Sequence, residues 1–108
     1  MAKISPTQNT LKKLRSEGWL VAVVEKWNPH ANIRQDLFGF IDLLAVRGTE
    51  TLAIQATSDP NVSSRVKKIK SEKLLLHFNA VREAGWQVEV WGWKKVKNRW
   101  EVRIVEVI

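Results

Sequence analysis

One carboxylate stands inside an otherwise apolar run, Phe40-Ile41-Asp42-Leu43-Leu44-Ala45-Val46, and two polar side chains, Gln55 and Thr57, follow on the next extended segment. An aspartate among such neighbours is costly to bury unless something pairs with it. A carboxylate, an amide oxygen and a backbone carbonyl are hard oxygen donors of the kind Mg²⁺ takes. The chemistry this points to is a divalent ion held at a nucleic-acid backbone. The plainer alternative is a structural aspartate bonded to nearby backbone or to Arg34. Gln55 and Thr57 would then be a satisfied core amide and hydroxyl.

A sheet is needed to position these groups. Pro6 through Glu17 reads as a helix with Gly18 as its positive-φ cap. Trp19 to Trp27 is β-branched and aromatic and reads as strand one, and Asn28 to Asn32 is a loop. Leu37 to Val46 reads as strand two. A turn at Gly48 leads to strand three, Thr51 to Thr57, hairpin-paired with strand two. Period-2 alternation places Phe38, Phe40, Asp42, Leu44 and Val46 on one face, and Thr51, Ala53, Gln55 and Thr57 on one face of the partner. Asp42 and Gln55 then meet near one end of the sheet.

Ser58-Asp59-Pro60-Asn61 breaks the pattern, and Val62 to Ala84 reads as one long helix with Val66, Ile69, Leu74, Phe78 and Val81 apolar. Gly85 caps it. Trp86 to Trp93 and Arg99 to Val107 are strands four and five, joined by a Lys-rich turn. A helix between strands three and four is a crossover that makes them parallel. The expected fold is α/β (α+β): a mixed sheet in the order α-β-β-β-α-β-β, with helices packed on it, as a single domain over residues 1–108.

Composition narrows the function classes. A chain of 108 residues has room for one core. Its 44% hydrophobic and 8% aromatic content excludes a disordered chain. With no Cys there is no disulfide framework, thiolate zinc site or cysteine nucleophile. No Ser-His-Asp set, phosphate-cradling Gly loop or paired His ligands can be found. No apolar stretch is long enough to span a membrane, and the start of the chain lacks the apolar core of a signal peptide. A cytoplasmic location is expected.

The net charge of +7 is unevenly placed. Residues 1–62 carry 7 basic and 6 acidic side chains, and residues 63–103 carry 11 and 4. A clustered positive field is what a polyanion partner uses. Its carriers are Arg65, Lys67, Lys68, Lys70 and Lys73 on the long helix, then Lys94, Lys95, Lys97 and Arg99 in the last hairpin. Asn61, Ser63 and Ser64 could cap the long helix and present N–H groups to a phosphate. Trp93 and Trp100 flank the basic hairpin and could stack on unpaired bases. Core or dimer packing is the alternative for Trp91, Trp93 and Trp100, and the preferred role for Trp19 and Trp86. His30 sits in a loop where a general base could stand. His77 reads as structural.

The α-β-β-β-α-β order, the strand-two Asp42 and the polar pair Gln55-Ala56-Thr57 resemble the PD-(D/E)XK nuclease superfamily. That superfamily includes restriction enzymes, Holliday-junction resolvases and very-short-patch repair endonucleases. The stretch Asp36-Leu37-Phe38-Gly39-Phe40-Ile41-Asp42-Leu43-Leu44-Ala45 also resembles small uncharacterised phage and bacterial proteins of this type. The resemblance implies that Asp42 binds Mg²⁺ or Mn²⁺, that Gln55 stands where Glu or Asp is usual, and that the Ala56 carbonyl can face the metal. Thr57 stands in the place of the catalytic Lys. Glu25 would be the extra acid some branches use, with Asp36 competing for that role. Lys68 or Arg65 would replace the missing cation.

What this implies is a Mg²⁺-dependent endonuclease acting as a homodimer on DNA, with structured or branched DNA the favoured substrate class. A catalytically degenerate nucleic-acid-binding module is the second reading, supported by Gln55 and Thr57. An assembly or adaptor protein is a third, which explains the tryptophans but not Asp42.

Overall fold

Ser5 opens the first helix with its own side chain, whose Oγ accepts the Gln8 N–H at 3.1 Å, and Pro6 takes the first helical position, where no N–H is needed. The structure is a computed structural model that describes residues 5–108. The expectation for the start of the chain therefore falls partly on residues 1–4, outside those described. Helix α1, Pro6–Ser16, ends at Gly18, whose φ of +87° only glycine adopts without strain.

Seven strands follow: β1 (Leu20–Val23), β2 (Lys26–Asn28), β3 (Ile33–Gln35), β4 (Leu43–Arg47), β5 (Glu50–Ser58), β6 (Gln87–Val96) and β7 (Arg99–Glu106). The main sheet runs β1-β4-β5-β6-β7, with β5 and β6 parallel and the other neighbours antiparallel. β2 and β3 form a separate hairpin. A 3-10 turn, Asp59–Asn61, leads into α2 (Val62–Ile69) and α3 (Leu75–Glu83), which make the crossover from β5 to β6. The fold class is the expected one, a mixed sheet with helices packed on it.

Strand alternation divides the core between two faces. Leu43, Ala45, Leu52, Ile54, Trp91 and Trp93 pack with Leu14 of α1. Ala53, Val88 and Val90 pack with Val62, Ile69, Phe78 and Val81 of the crossover. Trp93 is buried and donates its Nε1–H to Thr10 Oγ1 at 2.8 Å, fixing α1 to β6. Trp91 is buried too, so neither is free to stack on a base. Gly92 lets the crossover approach β6, since a Cβ there would lie 2.2 Å from Val62 Cγ2.

Three expected elements are interrupted. Strand one ends at Val23, and residues from Lys26 join the hairpin instead. Strand two begins only at Leu43, because residues 37–41 fold into a turn closed by Leu37 and Ile41. Phe38 at φ 56° and Gly39 at φ 85° take that turn, so the expected alternation through Phe38 and Phe40 does not hold. The long helix is two helices. Its apolar residues step by three and four up to Ile69 and then by five to Leu74. A break absorbs that slip and returns both apolar sides to the sheet. Ser71 stabilises the break through a 2.6 Å bond from its Oγ–H to the Lys68 carbonyl.

Candidate metal centre

Asp42 lies one step before β4 and is held by backbone on both sides. Its carbonyl accepts the Val24 N–H at 2.8 Å, and its own N–H donates to the Ile54 carbonyl at 2.9 Å. The β4–β5 register ends at Leu43↔Ile54, and the Asp42 N–H bonds to that same Ile54 carbonyl, one residue short of Gln55. Alternation along β5 puts Gln55 on the face of Ala53, the crossover side of the sheet. Asp42 and Gln55 are both buried.

The separate hairpin brings two more acids. Its pairing Lys26↔Gln35, continued by one residue, sets Glu25 opposite Asp36 at the hairpin base. The turn over residues 37–41 then carries the chain from Asp36 back to Asp42. Carboxylate oxygens of Glu25, Asp36 and Asp42 all lie within 4.8 Å of one another.

Three carboxylates this close cannot all stay charged without a counter-ion. Asp42 is pushed up from 3.8 to about 8. Burial is the main cause, followed by a hydrogen bond with Asp36, the Asp36 charge and the more distant Glu25 charge. The Ala56 N–H, donating to Asp42 Oδ2 at 3.0 Å, pulls the other way. Ala56 thus meets the cluster through its N–H.

Arg34 is the cation paired with the cluster among the described residues. Its Nη1 donates to Glu25 Oε1 at 2.6 Å. Of the plainer alternative for Asp42, the bond to nearby backbone is present, from the Ala56 N–H, whereas Arg34 pairs with Glu25. Three carboxylates beside one guanidinium leave two negative charges, the charge that one divalent cation balances.

Gln55 provides an independent sign of a ligand. Its Oε1 is buried with no hydrogen-bond partner among the described residues. An orphaned acceptor of this kind is destabilising. The donor set, carboxylates with an amide oxygen, suits Mg²⁺ or Mn²⁺. A cleft of about 420 Å³ on the α1 side is lined by Thr7, Gln8, Leu11, Val23, Arg34 and one member of the cluster, Glu25.

Thr57 is buried on β5. Arg65 and Lys68 make no ion pair with the acids among the described residues. Lys67 and Lys70 line a depression of about 790 Å³ with Ser63, Ser64, Val66 and Ser71. Lys94, Lys95, Lys97 and Arg99 are exposed around the β6–β7 turn, where Lys97 and Asn98 both take positive φ. Lys95 sits 5.9 Å over the half-exposed Trp100 ring. His30 is exposed at the β2–β3 tip, and His77 Nδ1 lies 3.0 Å from the Phe38 carbonyl.

Glu25 and Asp36, expected as rivals for one place, both lie in the cluster, and Arg34 pairs with Glu25. The turn residues Asn28-Pro29-His30-Ala31-Asn32 carry the signal, because a hairpin closed there pairs Glu25 with Asp36. No family model matches the chain, and no curated protein or solved structure matches it.

Proposed function

We propose that this protein is a metal-dependent nuclease that hydrolyses phosphodiester bonds in DNA. The observation that carries the reading is the approach of the Glu25, Asp36 and Asp42 carboxylates to within 4.8 Å of one another, with the buried Gln55 amide oxygen on β5, the strand paired with β4. These four residues would hold Mg²⁺ or Mn²⁺. A divalent ion there supplies Lewis-acid polarisation of a phosphodiester oxygen and acidifies an attacking water.

The chain's own residues have distinct tasks. Asp42 must lose its shared proton before it binds the ion, which makes occupancy rise with pH. Ala56 N–H orients the Asp42 carboxylate and favours its charged form. Arg34 stands beside the acids where a guanidinium can offset charge developing on phosphate. It takes the task that the resemblance to PD-(D/E)XK nucleases assigns to a lysine and that Thr57 cannot perform. Lys67 and Lys70, free of ion pairs among the described residues, would hold the DNA backbone.

The element order supports the same reading: three antiparallel strands, a helical crossover and a parallel fourth strand, with Asp42 leading into the second. A second reading, a DNA-binding module of this fold without catalysis, is favoured by buried Thr57 alone. Labelled single-stranded, duplex, flap and four-way-junction DNA, incubated with Mg²⁺, Mn²⁺ or EDTA, separates the two. Cleavage that needs the ion and disappears in Asp42→Asn supports the nuclease. Binding without cleavage supports the module.

A further inference from the structure

β7 closes one side of the main sheet and, among the described residues, has no strand beyond it. It pairs with β6 without interruption from Val96↔Arg99 to Glu89↔Glu106, so no bulge twists it away. Arg99–Glu106 contains no proline and no lysine, two common protections of a free edge. The opposite edge, β1, is only four residues long. β7 is thus a long, unbroken free edge.

The direction of its free groups follows from one bond. Val107 donates its N–H to the Val88 carbonyl at 2.8 Å. Hydrogen-bonded and open pairs alternate along an antiparallel ladder. The odd-numbered residues of β7 therefore bond to β6, and Trp100, Val102, Ile104 and Glu106 turn their N–H and C=O groups outward. The side chains alternate as well. Trp100, Val102 and Ile104 form an apolar stripe on one face, and Arg99, Glu101 and Arg103 alternate in charge on the other.

We propose that β7 pairs antiparallel with β7 of a second copy of this chain, about a twofold axis through Val102. That register sets Val102 against Val102 of the partner subunit and Trp100 against Ile104 of the partner subunit. It also sets Glu101 against Arg103 of the partner subunit, twice by symmetry. Moving the axis to residue 101 or 103 instead sets like charges against each other, which disfavours those registers. Moving it to residue 100 or 104 shortens the overlap. Arg103 is already aimed by Asp59, which accepts its Nε–H at 3.0 Å, and guanidinium donors remain for a second carboxylate. Trp100 and Ile104, 41% and 44% exposed, gain apolar partners. The product is one continuous sheet with the two candidate metal centres in the same assembly. This pairing does not depend on the nuclease reading.

The absence of cysteine allows a register-specific test. Sedimentation equilibrium of the unaltered chain is expected to show a monomer–dimer equilibrium, weakened at least about tenfold by Glu101→Lys. Under mild oxidation, Val102→Cys is expected to form a disulfide dimer, since facing residues of a hydrogen-bonded pair lie about 5.5 Å apart. Trp100→Cys is expected to remain uncrosslinked, because its two copies stand four residues out of register. A chain monomeric at all concentrations overturns the proposal. So does a dimer that Glu101→Lys leaves unchanged, or one that Trp100→Cys crosslinks as readily as Val102→Cys.

Discussion

The Asp36 and Asp42 carboxylate oxygens lie within 4.8 Å of each other, and that approach links the small hairpin to the main sheet. Two carboxyl groups this close favour a proton or a cation between them. The stability of this protein is therefore tied to pH and to divalent ions through one pair of side chains.

The pH dependence follows from the direction of the shift. Asp42 is raised from 3.8 to about 8 on folding, so the folded state holds a proton that the unfolded state releases. Its stabilising effect is complete below about pH 4 and is lost as pH rises through about 8. In between, Asp42 alone lowers stability by up to about 1.4 kcal/mol per pH unit. Urea unfolding in EDTA between about pH 5 and pH 9 should show this decline. Asp42→Asn, which cannot ionise, should flatten it.

A bound divalent ion replaces that proton, so its effect has the opposite trend. Millimolar Mg²⁺ or Mn²⁺ should raise the thermal midpoint strongly above about pH 8 and little below about pH 6. Thermal denaturation with and without the ion checks this. Stabilisation independent of pH would place the ion somewhere other than the Asp42 cluster.

Gln55→Leu separates the cost of the orphaned amide from its use. Without metal the variant should be more stable than the parent by about 1 kcal/mol, because no unpaired acceptor is buried. With metal its added stabilisation should be smaller than that of the parent. Paired urea titrations in EDTA and in Mn²⁺ measure both effects.

Gly92→Ala probes the scaffold. A Cβ there would stand 2.2 Å from Val62 Cγ2 and 3.1 Å from Asp59 Cα, and backbone yields less readily than a side chain. The expected loss is about 1–3 kcal/mol, measured by urea unfolding.

Lys67→Ala with Lys70→Ala tests the proposed grip on the DNA backbone. Affinity should fall alike for all sequences, and its salt dependence should flatten by about one unit for each phosphate that is no longer neutralised. Fluorescence anisotropy across a salt series reads both quantities.

What is legible in the sequence divides along physical lines. Local signals locate Gly18 and Gly85 as caps, and the β4–β5 hairpin that puts Asp42 just before one strand and Gln55 on the other. The parallel β5–β6 pair follows from the length of the crossover. The five-residue step from Ile69 to Leu74 is the one trace of the helix break, and it is easily absorbed into a single long helix. Residues 37–41 are apolar like a strand, yet they turn, because Phe38 and Gly39 take positive φ and Phe40 and Ile41 pack inward. The meeting of Glu25 and Asp36 depends on where the short hairpin sits against the sheet, and no local periodicity encodes that docking. The Arg34–Glu25 pair forms within the small hairpin itself, where the two residues are diagonal neighbours across the strands.

The most direct measurement is a Mn²⁺ titration followed by electron paramagnetic resonance at about pH 8.5, on the parent chain and on Asp42→Asn, with folding of both verified by circular dichroism. Saturable binding by the parent is expected, weakened at least about tenfold in Asp42→Asn and displaced by Mg²⁺. Equal binding by the two folded proteins, or none by the parent, would contradict a metal centre at Glu25, Asp36, Asp42 and Gln55.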